Sequence, residues 1–502
     1  MTRTQIRGSS LLLVGRALSL GINFGSQILI VRYLSKSDYG AFAYALSLVM
    51  LGQNIATFGL DRSFTRFVPI YDERGEYSKA FGTMVMVVGT ILGIGIAMIL
   101  VVYGGQSFIA GNLIDDEQAV SMLLIMVFLS PIQALDNLQV SLFAVYSKPR
   151  AIFYRKYVVA PGLRLLVVGA LVLSNSSVGF LAAGYVAAGA LGLALYAVVL
   201  VRLLRSRGLF EHFSLKTMIM PVREVLSFTV PLLTSDLVHV LMLASGGLVL
   251  GLFAGTSEVG AFRAIQPAAH LNALAMASFT TLFTPLLARL YARDDREGIN
   301  DMYWQTAIWL AVISFPIFAL TFSLAQPLTV ALFGARYEDS AVLLTLLSLG
   351  YYFNASLGFN GLTLKVFGRM RYIIAVNLGA AVVNVGLNFL FIPPYGALGA
   401  ALAACGTLVA HNIFKQLGLR LGTGISLFEW RYAALYGSIV VSAALLLGVQ
   451  VFLEPPLAVG VVLAGIASLV VLRLARRSLR VDEMFPELMR FKWARLLTGH
   501  DR

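Results

Sequence analysis

Arg16, Ser19, Asn23 and Gln27 fall at positions i, i+3, i+7 and i+11 of an otherwise apolar segment. On a helix that spacing is a single stripe. Ionisable groups in hydrocarbon cost roughly 2.5 to 3.5 kcal/mol each on insertion scales, so such a stripe is expected to face a bundle interior or a wet cavity. Arg263, Gln266 and His270 repeat the device at i, i+3 and i+7. Two arginines and a histidine would suit an anion, since a phosphate or pyrophosphate takes charge-assisted hydrogen bonds from the forked guanidinium. Arg16, Asn23, Gln27, Arg263, Gln266 and His270 are therefore the expected substrate contacts.

Asp236 and His239 lie one helical turn apart in another apolar segment and could hydrogen-bond or exchange a proton. They are the candidates for ion coupling, with a neutral, structurally satisfied pair as the other reading. Asp136, beside Gln133 and Asn137, is read as neutralising a nearby arginine, and Arg164 as snorkelling to the interface. Asn377, Asn384 and Asn388 share one face and suit helix-to-helix hydrogen bonding. No metal site is expected, because the five histidines form no close pair and Cys405 is the lone cysteine. A GxxxxGK[ST] phosphate loop is also missing. No cofactor, no catalytic residue and no enzymatic activity are expected, which leaves transport.

The elements that must position these residues are apolar segments of about 20 residues, enough to cross a bilayer as a helix. Fourteen follow one another between Leu11 and Leu472. Of the 38 Lys and Arg, 32 lie before the first, after the last or in the even-numbered connections. Arg32, Lys36 and Arg336 lie on the opposite side, and Arg16, Arg164 and Arg263 within spans. The positive-inside rule then places both termini in the cytoplasm. The same sorting accounts for the net charge of +13 without a nucleic-acid partner. Membrane lipids are the expected partners of the basic connections.

Internal similarity divides the chain further. Asp38 to Phe42 (Asp-Tyr-Gly-Ala-Phe) returns as Glu258 to Phe262 (Glu-Val-Gly-Ala-Phe), an offset of 220, and Ile70, Tyr71 as Leu290, Tyr291 at the same offset. Lys148, Pro149, Arg150 is answered by Arg369, Met370, Arg371. Parallel six-span repeats are expected: an N-lobe over 1–210 and a C-lobe over 211–425, then two extra spans over 426–475 and a basic cytoplasmic tail over 476–502. Spans 1 and 8 could then line a cleft between the lobes. In the tail Phe485, Leu488, Met489, Trp493, Leu496 and Leu497 recur at helical spacing, which suits a helix on the leaflet surface or one packed on the lobes.

Particular runs resemble a known family. Lys365 to Arg371 (Lys-Val-Phe-Gly-Arg-Met-Arg), then Asn384 to Asn388, then Ile392 to Ala401 (Ile-Pro-Pro-Tyr-Gly-Ala-Leu-Gly-Ala-Ala) are similar to the span 10 to 12 signature of polysaccharide-biosynthesis flippases. Arg32, Tyr33, Leu34, then Asp38, Tyr39, Gly40 and the run Gly59 to Arg62 resemble the amino-terminal signature of the same family. Those flippases belong to the multidrug/oligosaccharidyl-lipid/polysaccharide (MOP) superfamily. The resemblance implies an all-α, multi-pass protein of the cytoplasmic membrane. It also implies a Wzx-type flippase that carries polyprenyl-pyrophosphate-linked oligosaccharide by alternating access, alongside other polysaccharide-assembly proteins such as a polymerase. A multidrug and toxin extruder and a membrane-embedded polymerase or ligase are the alternatives.

Overall fold

The side chains of Ser35, Asp116 and Asp295 cap the helices they precede, and glycines such as Gly40 and Gly260 set how closely helices approach. The computed structural model describes the backbone of residues 2–480 apart from 113, 115, 147, 213 and 215. It describes the side chains of the same residues apart from those of 2–10, 13, 212, 231–239, 241, 243, 281 and 282. The basic tail beyond 480 lies outside the described residues. No strand occurs among the described residues. The chain divides into two compact units, Met1–Gly260 and Ala261–Arg502.

The first unit comprises α1 (Thr2–Tyr33), α2 (Lys36–Thr57), α3 (Leu60–Glu73), α4 (Tyr77–Gly104), α5 (Gln106–Asn112), α6 (Glu117–Met126) and α7 (Leu129–Val145). It continues with α8 (Pro149–Ile152), a π-helical segment at Phe153–Val159, α9 (Ala160–Leu173), α10 (Val178–Ser206), α11 (Leu209–His212) and α12 (Val222–Phe253). Ser35 caps α2 by accepting from the Asp38 N–H at 3.0 Å, and its hydroxyl donates to the Asp38 carboxylate at 2.6 Å. That reciprocal pair satisfies a donor the helix start leaves open. Asp116 caps α6 in the same way, accepting from the Gln118 N–H at 2.8 Å. α2 is the centre of the unit, packed against α4, α6, α7 and α12. Its small residues Gly40, Ala41, Ala43 and Ala45 are buried and allow that close approach.

One approach is closer than any side chain would permit. A Cβ on Gly40 would overlap the Thr256 carbonyl, and a Cβ on Gly260 would overlap the Lys36 carbonyl. Residues 40 and 260, like 36 and 256, are separated by the 220-residue offset of the internal similarity. Each start of the duplicated Gly-Ala-Phe stretch thus lies against the backbone of its counterpart.

The second unit begins within α13 (Thr256–His270) and continues through a 3₁₀ turn at Leu271–Ala273, α14 (Leu274–Ala292), α15 (Arg296–Phe318), a π-helical segment at Ala319–Ser323 and α16 (Ala325–Phe333). After a 3₁₀ turn at Ala335–Ser340 come α17 (Ala341–Ser356), α18 (Asn360–Val366), α19 (Met370–Thr423), α20 (Ala433–Leu453) and α21 (Leu457–Leu479). Its core gathers on α15, where Tyr303, Trp304, Ile308 and Phe315 are fully buried. The 54-residue α19 is two helices meeting at Gly396, whose φ of 52° and ψ of −131° only glycine adopts readily, two residues after Pro394 in the Pro393-Pro394 pair.

Among the described residues eleven helical stretches are long and apolar enough to cross a membrane, or twelve if the bent pair Thr256–Thr280 and Phe283–Ala292 is one span. One of the eleven is the joined pair in α19. Each of the fourteen apolar segments read from the sequence falls on helical structure.

Candidate functional site

In the first unit the polar stripe of α1 is set by what the opposite side of the helix must do. Gly15 is buried where a Cβ would come within 2.7 Å of Phe153 and 2.6 Å of Tyr157, so it seats α1 against the π-helical segment. The next residue, Arg16, points away and is exposed. Among the described residues no ion pair holds it. Asn23 is also exposed, its amide donating to the Ser19 hydroxyl at 3.1 Å. Gln27 is half-buried and donates to the Tyr39 hydroxyl on α2. The structure therefore joins Asn23 to Ser19 and ties the C-terminal end of the stripe to α2, while Arg16 is exposed. Tyr39 was missed as a site residue, although it stands in the Asp-Tyr-Gly stretch that repeats.

In the second unit Pro267 removes a backbone donor from α13, and the helix gives way to a 3₁₀ turn immediately after His270. Asn272, fully buried, holds that break by donating to the Ala269 carbonyl at 3.0 Å and to the Thr321 hydroxyl at 2.9 Å. His270 is thereby left exposed at the end of α13, edge-on to the Tyr351 ring at 5.1 Å between centroids. Two turns earlier Arg263 donates from Nη1 to the Gln266 carboxamide at 3.0 Å. All three expected residues of this stripe share the last two turns of one helix, and Tyr351 is the neighbour that sequence spacing alone did not supply.

The side chains of Asp236 and His239 lie outside the described residues. Asp136 is placed, and its arginine is Arg155, which is 2% exposed and pairs with it through Nη2. Sorting of charges had counted Arg155 among the cations of a basic connection. Instead, it sits on the π-helical segment, 5.4 Å from the Tyr196 ring centre, in space left by Gly192. Arg164 lies 5.7 Å from the Tyr185 ring centre. The span 11 amides serve the fold: Asn384 donates to Thr407 at 3.1 Å, Asn388 to Asn384 at 3.3 Å, and Asn377 meets His411 at 2.9 Å. Cys405 is a buried free thiol. Among the described residues no three His, Cys, Asp or Glu side chains come together as a metal site would require.

The family described as "Polysaccharide biosynthesis protein" matches residues 6–291, more than half of the chain, and the chain belongs to it. The capsular polysaccharide biosynthesis protein CapF of Staphylococcus aureus is 27% identical over 181 residues, 36% of this chain and 46% of that relative. The match thus spans less than half the relative's length. Among solved structures, the lipid II flippase MurJ in an inward closed conformation is similar with a TM-score of 0.71 at 14% identity, over 94% of this chain and 99% of that one. An inward-facing multidrug resistance MATE family transporter of the MOP superfamily is similar with a TM-score of 0.63 at 15% identity, over 81% and 93%. The chain shares the fold of these two structures, and it is a multi-pass membrane protein.

Proposed function

From membership in the polysaccharide biosynthesis family, we propose that the chain is a flippase rather than an enzyme. It moves a polyprenyl-pyrophosphate-linked oligosaccharide repeat unit across the cytoplasmic membrane, by alternating access, for assembly of a surface polysaccharide. A polymerase acting on the delivered unit is its natural neighbour. The observation that carries this reading is Arg16, an exposed guanidinium within an apolar span that no carboxylate of the described residues neutralises. Such a group needs water or an anionic ligand, and a forked donor matches a diphosphate. Asn23 and Gln27 on α1, with Arg263, Gln266 and His270 in the second unit, supply further polar contacts. Ion coupling through Asp236 and His239 belongs to the same proposal.

The test is a deletion strain in which lipid-linked glycans are identified by mass spectrometry and sided with a reagent confined to the outer leaflet. Complete repeat units trapped on the cytoplasmic side, and released when the gene is restored, are expected. Unpolymerised units accumulating on the outer side would instead assign a polymerase, and an unchanged pool would turn the reading to multidrug export.

A further inference from the structure

A second cationic feature includes no residue of the α1 stripe. Where α7 and α10 end and α8 begins, a cavity of about 570 Å³ opens, lined by Lys148, Arg150 and Arg202 together with Phe143, Val199 and Leu203. The three cations are exposed, and none forms an ion pair among the described residues. They come from two different basic connections that the fold brings to one place. Three uncompensated positive charges around one hollow fit an anion, and the volume is that of an ordinary ligand site, roughly 300 to 1,000 Å³.

What lies next to the hollow selects the kind of anion. Leu191, Leu195 and Val198 on α10 are 51%, 49% and 52% exposed, and with Arg202 they occupy i, i+4, i+7 and i+11, one stripe of the helix. An apolar track therefore runs into the cationic lining, as a hydrocarbon chain runs into a phosphate headgroup. Free phosphate would use the cations and leave the track empty. We infer that this groove binds an anionic glycerophospholipid of the bilayer, its phosphate among Lys148, Arg150 and Arg202 and an acyl chain along Leu191, Leu195 and Val198. The basic connections that supply the cations are those the positive-inside rule assigns to the anionic leaflet, and basic pockets between spanning helices hold such headgroups. The site holds a resident lipid, not the cargo, whose candidate contacts on α1 belong to another helix.

The test uses the purified full-length protein, delipidated in a neutral detergent and titrated with phosphatidylglycerol or phosphatidylcholine of matched chains, with bound lipid counted by native mass spectrometry. Wild type is expected to hold one phosphatidylglycerol well ahead of any phosphatidylcholine. Each Lys or Arg near an anionic lipid is worth roughly fivefold in binding, so the triple variant Lys148→Gln, Arg150→Gln, Arg202→Gln should lose that lipid by at least about tenfold. A charge-matched control, Arg289→Gln, Arg293→Gln, Arg473→Gln, should retain it. Val199→Trp keeps every charge, fills the groove and should also release the lipid, which keeps the test decisive if the triple variant does not fold. The inference is overturned by undiminished phosphatidylglycerol binding in either groove variant, by equal loss in the control, or by equal retention of phosphatidylcholine. Displacement by equimolar undecaprenyl diphosphate would likewise overturn it, by making the groove a cargo site. No transport is measured, so a negative result here leaves the flippase reading where it stands, and the reverse also holds.

Discussion

Arg16 and Arg155 lie in the same unit and in segments apolar enough to cross a membrane, yet they are held in opposite ways. Arg155 is fully enclosed: Asp136 takes its charge, the Tyr196 ring lies 5.4 Å from the guanidinium carbon, and Gly192 leaves the room it fills. Arg16, next to Gly15, has an exposed guanidinium and no carboxylate partner among the described residues. A buried cation with its own anion is part of the fold. A cation displayed without one requires an anion or water from outside, and that difference is the ground on which Arg155 is read as structural and Arg16 is proposed to bind.

The sharpest way to break this contrast is to remove the anion. Asp136→Ala leaves the Arg155 guanidinium buried and uncompensated, which should cost about 3 to 5 kcal/mol. A large drop in the melting temperature of the purified protein is expected. The double variant Asp136→Leu, Arg155→Leu should recover much of it, because replacing both charges leaves no orphan. An unchanged melting temperature in Asp136→Ala would show that the pair contributes nothing.

A smaller effect should follow from filling the space beside the guanidinium. A Cβ on Gly192 would lie 2.9 Å from Arg155 Nη1 and 3.0 Å from Nη2, so Gly192→Ala must displace the guanidinium from its present position beside Asp136. Overpacking of this kind costs about 1 to 3 kcal/mol. Gly192→Ala placed on Asp136→Ala should add less than it does alone, since the contact it disturbs has already gone.

How far the contrast could be read without coordinates follows from these same residues. The apolar segments were legible because a bilayer imposes one length and one polarity on every span, and the stripes were legible because helical spacing fixes which side chains share a face. Asp136 was legible as an acid in need of a cation. Arg155 was not, because a count of charges along the chain assigns every Lys and Arg near a span end to water, whereas the π-helical segment at Phe153–Val159 turns this one inward. A π segment changes the register of all that follows it by about one residue and leaves no compositional mark. The Tyr39 and Tyr351 contacts were hidden for a related reason: they join different elements, and periodicity speaks only within one.

A third environment sharpens the comparison at its weak end. At the aqueous edge of the second unit, Asp301 meets Arg431 at 2.7 Å and Arg480 at 3.5 Å, while Glu429 accepts from the Asn300 amide at 2.9 Å. Hydrogen bonds from Asn300 and Ser426, aided by the nearby Arg431 charge, hold the Glu429 carboxyl below its usual range. A carboxyl lowered on folding contributes stability above its unfolded value and loses it as the pH falls through the folded one. In this partly solvated setting the contribution should be well under ~1 kcal/mol. Melting temperatures of wild type and Glu429→Gln should therefore differ slightly at pH 7 and converge as the pH falls through the lowered carboxyl value. A difference that widened in acid would reverse the sign of the argument.

On stability, Arg16→Ala should do least of all. The exposed guanidinium has no carboxylate partner among the described residues to abandon, so its removal should shift stability by no more than ~0.5 kcal/mol. Transport should nevertheless fall steeply, and Arg16→Lys should restore it only in part, because an ammonium keeps the charge but cannot grip two phosphate oxygens as a fork. The two readouts together decide the matter. Lost export with an unchanged melting temperature places the arginine in contact with the cargo, whereas export that survives both Arg16→Ala and Arg263→Ala in one chain removes the cationic stripes from the mechanism. A melting temperature that collapses with Arg16→Ala, as it should with Asp136→Ala, would erase the distinction between the two arginines altogether.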